Sequence, residues 1–169
     1  MDIAFDEARG RLFTADLLGE TVSVVDTSNL RLVASVPVGS YPSGLALDGG
    51  RRRVYCGCAL SATVVVIDVD SLEVVATVPA QPGAGAVAVD VVRSRVYCAG
   101  FLAGSVTVID SNEDRAVGEI DVGAAPCAVA VHAARGELYV SNSFADTVTR
   151  IDLATSAVDA SYPRSRSRT

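Results

Sequence analysis

The amino-acid sequence predicts an all-β fold, a β-propeller of four four-stranded antiparallel blades, and three observations lead to this prediction. The 169-residue chain repeats itself every 42 residues without an insertion or deletion. Each repeat has four short segments rich in β-branched residues, separated by turn residues at hairpin distances. No segment long enough for a helix shows a clean period of about 3.6 residues. Four antiparallel strands in about 42 residues make one propeller blade, whereas β-solenoid coils are usually shorter and a β-sandwich needs no self-similarity.

The repeat is carried by residues of different chemical types. An aromatic residue, an arginine, a valine and an aspartate each recur at the same interval. These residues are Phe13, Tyr55, Tyr97 and Tyr139; Arg9, Arg51, Arg93 and Arg135; Val22, Val64, Val106 and Val148; and Asp26, Asp68, Asp110 and Asp152. The predicted blades span residues 1–42, 43–84, 85–126 and 127–163, and their first strands begin near residues 3, 45, 87 and 129.

The second repeat shows how the strands are assigned. Strands are predicted at 44–48, 53–58, 63–68 and 72–80, with turns or loops between them. The aspartate that ends each third strand is expected to cap the turn that follows, because a catalytic carboxylate would rarely be copied into every blade.

Composition and charge narrow the classes of partner. The net charge is −6 and all 14 basic residues are arginine, a bias that we attribute to a GC-rich genome rather than to anion recognition. An acidic chain is poorly suited to nucleic acid, and no apolar run approaches the roughly 18 residues needed to cross a bilayer. The residues after Met1 lack basic and long apolar stretches, so we expect no signal peptide. Residues 164–169 are expected to form a disordered basic tail.

The four cysteines do not predict a disulfide framework, a metal site or a cofactor. Cys56 and Cys98 occupy equivalent positions in neighbouring blades, about 10 Å apart and beyond disulfide reach. Cys58 and Cys127 have no repeat-related partner, so four free thiols are expected. With His132 as the single histidine, Cys56 and Cys58 make a poor metal site. The haem-attachment motif and the tryptophans that commonly stack on quinones are absent.

Several segments resemble the YVTN-type β-propeller repeat proteins. The resemblance covers nearly the whole chain and is specific for the repeat, not for an activity. The matching segments are residues 95–100, 105–110 and 122–126, followed in the fourth repeat by Leu138-Tyr139-Val140-Ser141-Asn142 and by 147–152. The resemblance implies a ring of seven or eight blades and a protein that is often exported or located at the cell surface.

Four repeats leave three alternatives open. The chain is a fragment of a longer propeller without a function of its own, two copies form a homodimer that closes an eight-blade ring, or four blades close on themselves. Small residues on the innermost strands, Ala46, Ala88 and Ala130, would permit the last arrangement. The first repeat is as apolar as the inner ones, so an open arc would expose a Val- and Leu-rich face at each end. We therefore expect the homodimer.

Asp6, Asp48, Asp90 and His132 stand at the end of the innermost strands, beside the central channel. A ring of carboxylates there could hold a cation or a polar ligand. The alternative is a repeated Asx turn, because each aspartate is followed by an arginine three residues later.

The loops between second and third strands carry a second candidate site. Leu17 and Phe101 interrupt the repeat there, and Tyr41 and Phe144 belong to the same rim, where exposed apolar groups would suggest a partner surface. Leu18, Leu60, Leu102 and Phe144 recur every 42 residues, which favours packing between blades.

Two functions from different classes follow. The first is a binding or scaffold module that presents loops to a protein, glycan or small ligand. The second is a lyase or hydrolase with its site on the channel axis, for which His132 is the one acid–base candidate outside the repeated carboxylates. The sequence favours the binding module.

Overall fold

The structure is a computed structural model that describes residues 2–163, so the predicted tail at 164–169 lies outside it. Within this range all regular structure is antiparallel β-sheet, in four sheets of four strands. The first two blades contain β1 (Ile3–Asp6), β2 (Arg11–Asp16), β3 (Thr21–Asp26) and β4 (Arg31–Pro37), then β5 (Pro42–Asp48), β6 (Arg53–Cys58), β7 (Thr63–Asp68) and β8 (Val74–Pro79). The others contain β9 (Ala84–Asp90), β10 (Arg95–Gly100), β11 (Ser105–Asp110) and β12 (Arg115–Asp121), then β13 (Pro126–His132), β14 (Glu137–Asn142), β15 (Thr147–Asp152) and β16 (Val158–Pro163).

The predicted all-β fold of four four-stranded blades is confirmed. The first strands of blades two to four begin three residues earlier than expected, at Pro42, Ala84 and Pro126. Each of these residues pairs with the last residue of the second strand across a register shift. A β-bulge is not visible in the alternation of apolar residues, which is why the sequence placed the strand starts too late.

Apolar layers between consecutive blades form the core. We call the side of a blade that packs on the next blade its forward face and the opposite side its backward face. In the first layer, Phe13 and Val24 of the forward face of blade one pack in one cluster with Leu45 and Cys56 of the backward face of blade two. Two further layers join blades two and three and blades three and four. The first strands of neighbouring blades lie closest together, so they line the axis of the propeller.

The turns place residues on two rims. The upper rim consists of the turns at 17–20, 59–62, 101–104 and 143–146 and the connections between blades at 38–41, 80–83 and 122–125. The other turns form the lower rim. A left-handed backbone recurs in equivalent turn positions, as at Glu20, Ala62, Gly104 and Asp146. The residue types at these positions do not predict this conformation, which closes each hairpin tightly.

The two end faces of the four blades are uncovered. Ile3 is 63% exposed, whereas its equivalent Leu45, covered by the preceding blade, is 5% exposed. Ala130 on the forward face of blade four is also exposed. The blades therefore form an open arc and not a closed four-blade ring. Besides apolar residues, these end faces carry charges at Asp16 and Arg150.

Candidate functional site

The upper rim is held rigidly by main-chain hydrogen bonds between its turns and connections. Each second-to-third-strand turn in blades two to four donates backbone N–H groups to the connection that precedes the blade. The bonds run from Ala59 to Tyr41 (3.0 Å), Leu60 to Ser40 (3.2 Å), Phe101 to Gly83 (3.1 Å), Leu102 to Pro82 (3.1 Å) and Ser143 to Ala125 (2.9 Å). Side chains on this rim are thus carried by a fixed backbone, which lowers the entropic cost of binding a partner.

An apolar cleft opens on this rim across blades two, three and four. Its volume is 290 Å³, and its apolar walls include Tyr41, Leu60, Phe101 and Leu102, with the thiol-bearing Cys127 beside them. Few polar groups line it, so the cleft suits a bulky apolar side chain better than a polar metabolite.

Phe101 extends the apolar surface from the cleft to blade four. Its ring meets that of Phe144 edge to face, with centroids 5.6 Å apart and planes at 72°. The structure thus brings together Tyr41, Phe101 and Phe144, three of the four rim residues proposed from the sequence. Leu17 is half-buried and does not line this cleft.

The second prediction for the rim, packing of the recurring apolar residues between blades, is wrong. Leu18, Leu60, Leu102 and Phe144 are between 72% and 88% exposed. They sit at the tips of hairpin turns, which project beyond the layers that the blades bury. A period of 42 residues therefore marks equivalent positions but does not say whether those positions are covered.

Tyr41 has a strained backbone. Its φ is 63°, in the left-handed region. The equivalent residues in the next two connections, Gly83 and Ala125, are also left-handed. This conformation costs a residue with a Cβ about 1 kcal/mol or more. Nothing in the residue types predicted this backbone conformation at Tyr41, whose side chain lines the cleft.

Charge is divided between the two rims. Of the described arginines, Arg150 lies in the middle of β15, and every other one lies in or beside a turn of the lower rim. The charged residues in the upper rim within 2–163, Glu20 and Asp146, are acidic, and so are Asp16 and Asp121 at the strand ends beside it. An anionic partner would be repelled from this surface, whereas a neutral or basic one would not.

The candidate ring at the channel end is occupied by internal ion pairs. Asp48 accepts the backbone N–H of Arg51 (2.9 Å) and pairs with its guanidinium at 3.0 Å. The same arrangement holds at Asp6 and Asp90, and all three carboxylates are buried. His132 is exposed in the fourth place. No cluster of three or more His, Cys, Asp or Glu residues suited to a metal ion occurs between residues 2 and 163.

The lower rim also links the blades, a feature that sequence reasoning missed. Arg9 donates to Asp70 of the next blade at 2.7 Å, and Arg51 donates to Asn112 in the equivalent place at 2.8 Å. The predicted turn caps at the ends of the third strands are confirmed: at Asp26, for example, hydrogen bonds from Ser28 lower the pKa of the carboxyl. These contacts account structurally for most of the repeated charges.

His132 does not assemble an acid–base site. It lines an open cleft of 460 Å³ on the forward face of blade four, together with Ala130, Val131, Ala133 and Tyr139. Glu137 stands opposite His132 in the register of β13 and β14, but its carboxylate accepts a hydrogen bond from Tyr139 and pairs with Arg150.

Comparison with known proteins supports the fold. No family model matches the sequence, and no curated protein matches it significantly. Among solved structures, 1298 chains match, so the fold by itself assigns no activity. No helix in residues 2–163 is long and apolar enough to cross a membrane.

Two of these structures show the extent of the match. Hydrazine synthase from Kuenenia stuttgartiensis has a TM-score of 0.88 and 20% identity, over 95% of this chain and 47% of that chain. The structure of U3-55K has a TM-score of 0.84 and 13% identity, over 96% of this chain and 51% of that chain. The chain thus spans about half the length of these structures, and its four four-stranded antiparallel blades make it a protein of propeller-like fold.

Proposed function

We propose that the chain is a binding module of the YVTN type, which captures a bulky apolar side chain of a protein partner on its upper rim. The observation that carries the proposal is the 290 Å³ cleft between Tyr41, Leu60, Phe101 and Leu102. Apolar and aromatic side chains on a fixed backbone are typical anchors of protein interfaces. The segment Leu138-Tyr139-Val140-Ser141-Asn142 supports the assignment to the YVTN type.

Selection of binding peptides from a random library on the immobilised protein tests this function. We expect enrichment of peptides with a large apolar residue, and loss of their binding in the variant Phe101→Ser. Val92→Ser is the matched control, because Val92 is 70% exposed on the lower rim. Selected peptides that bind both variants equally well would show that the cleft is not the binding site.

We also propose that a second copy closes the ring, as a homodimer of eight blades. The support is the pair of uncovered end faces, on which Ile3 and Phe5 at one end and Tyr162 at the other are at least half exposed. A forward face and a backward face are the two surfaces that pack together inside the arc, so two arcs related by a twofold axis fit head to tail. Light scattering tests it: a dimer has twice the monomer mass of 17.4 kDa, and a particle of 17.4 kDa contradicts it.

A further inference from the structure

Each end face of the arc carries a charged residue at a position that is uncharged in the other three blades. On the backward face of blade one this residue is Asp16, and on the forward face of blade four it is Arg150. The positions equivalent to Asp16 hold Cys58, Gly100 and Asn142, and those equivalent to Arg150 hold Val24, Val66 and Val108. The inner layers thus keep these positions uncharged, and the two charges at the ends have opposite signs.

Asp16 sits in a group of hydroxyls that keeps it ionised. Its carboxylate accepts hydrogen bonds from Thr14 (3.0 Å), Thr21 (3.1 Å) and Ser23 (2.5 Å). Partial burial acts to raise the pKa of Asp16, but the three hydroxyl bonds outweigh it and leave the pKa below the ordinary value. A carboxylate held in this way offers a fixed negative charge on an otherwise uncovered face.

Arg150 has hydrogen-bonding capacity that its own chain does not use. Its guanidinium forms ion pairs with Glu137 and Asp159 of its own chain, but both contacts are 3.7 Å long and exceed hydrogen-bond distance. Its Nε is buried and has no acceptor. The Arg150 side chain is 34% exposed, and an arginine fork is well suited to a carboxylate partner.

The inner layers show where the two groups would meet. In the layer between blades one and two, Val24 belongs to the same cluster as Cys56, Cys58 and Val65. Val24 is the equivalent of Arg150, and the other three are the equivalents of Thr14, Asp16 and Ser23. A blade placed behind blade one in the same way would bring its Arg150 to the hydroxyl group around Asp16.

We propose that Arg150 of one copy binds the Asp16 group of a second copy, and that this pair selects the head-to-tail closure of the ring. The inference rests on the proposed homodimer, and a twofold axis forms the pair twice, once at each junction. Both compared structures superpose on nearly the whole arc, which covers about half the length of each of those chains. Opposite charges at matching positions argue for a second copy as the occupant, because they select partner and register.

Charge reversal tests the pair. Asp16→Arg and Arg150→Asp, each alone, set like charges against each other at both junctions, so we expect the dissociation constant of the dimer to rise at least tenfold. An equimolar mixture of the two variants restores opposite charges at both junctions of a mixed dimer. The double variant carries both changes in one chain and restores opposite charges at both junctions of its own homodimer. Glu7→Arg and Arg31→Asp are matched controls, because both residues are exposed on the lower rim. The readout is mass by light scattering, with circular dichroism to confirm that each variant is folded.

The outcomes separate the two proposals. Dimeric wild type, monomeric single variants and a dimeric mixture support the pair. If the wild type and both single variants dimerise equally well, the ring closure stands and the role of Arg150 and Asp16 is overturned. If the wild type is a monomer at every concentration, the homodimer fails and the pair fails with it. A folded mixture that stays monomeric while the wild type dimerises also overturns the pair.

Discussion

Gly57 of β6 lies so close to the backbone of Gly85 in β9 that a Cβ at Gly57 would overlap the carbonyl oxygen of Gly85. Blades two and three thus approach each other backbone to backbone at this point. We expect Gly57→Ala to lower the free energy of unfolding by about 1–3 kcal/mol, because the blades must separate to admit the methyl group.

The control for this prediction is Gly118→Ala in β12, where an added Cβ meets nothing within 4 Å. It should leave stability unchanged or raise it slightly, since alanine restricts the unfolded chain. Urea denaturation measures both variants. Equal stability of Gly57→Ala and the wild type would show that the two blades are not in close contact there.

Asp48 forms an ion pair with Arg51, and only 1% of the Asp48 side chain is exposed. Asp48→Ala removes both the ion pair and the acceptor for the backbone N–H of Arg51, and we expect a loss of about 2 kcal/mol. The loss stays below that of a fully buried pair because Arg51 is 28% exposed and keeps its bonds to Ser94 and Asn112. His132→Ala changes the equivalent, exposed position and should shift thermal stability by less than about 0.5 kcal/mol. Similar losses in the two variants would contradict a specific role for the ion pair.

Tyr97 makes stability depend on alkaline pH. Burial is the main cause that raises the pKa of Tyr97 to about 12, whereas an unfolded chain ionises near pH 10. Between these pH values the unfolded state binds fewer protons than the folded state, so the free energy of unfolding falls as pH rises. We expect the fall in the free energy of unfolding between pH 9 and pH 12 to be smaller in Tyr97→Phe than in the wild type, by up to roughly 2 kcal/mol. Urea denaturation of both proteins at the two pH values measures this difference. Parallel pH profiles for wild type and variant would contradict the shift.

The four thiols should differ in reactivity. Cys56, Cys58 and Cys98 are fully buried, and burial raises the pKa of Cys98 to about 12, so its reactive thiolate is scarce at neutral pH. Cys127 is exposed beside the apolar cleft. Alkylation of the native protein should therefore attach one label quickly, at Cys127, and alkylation after unfolding should attach four. Intact-mass measurement counts the labels, and fewer than four on the unfolded chain would contradict four free thiols.

The candidate site was predicted in part. Tyr41, Phe101 and Phe144 were singled out because they interrupt the repeat or belong to one rim, and the structure places them along one surface. The cleft itself could not be predicted, because it depends on how far three blades spread at the rim and on the left-handed backbone of Tyr41. Asp16 and Arg150 depart from the repeat in the sequence. Only the strand register shows that each of them lies on an uncovered end face.

The sequence by itself determined the number of blades, the order of their strands and the turns that the third-strand aspartates cap. It could do so because these features depend on contacts close in the chain, and a 42-residue period repeats them four times. Only the tertiary structure decided which equivalent residues are covered. Leu45 and Ile3 occupy the same position, yet Leu45 is buried and Ile3 is exposed. The physical reason is that burial depends on the neighbouring blade, and blade one has no blade behind it within residues 2–163.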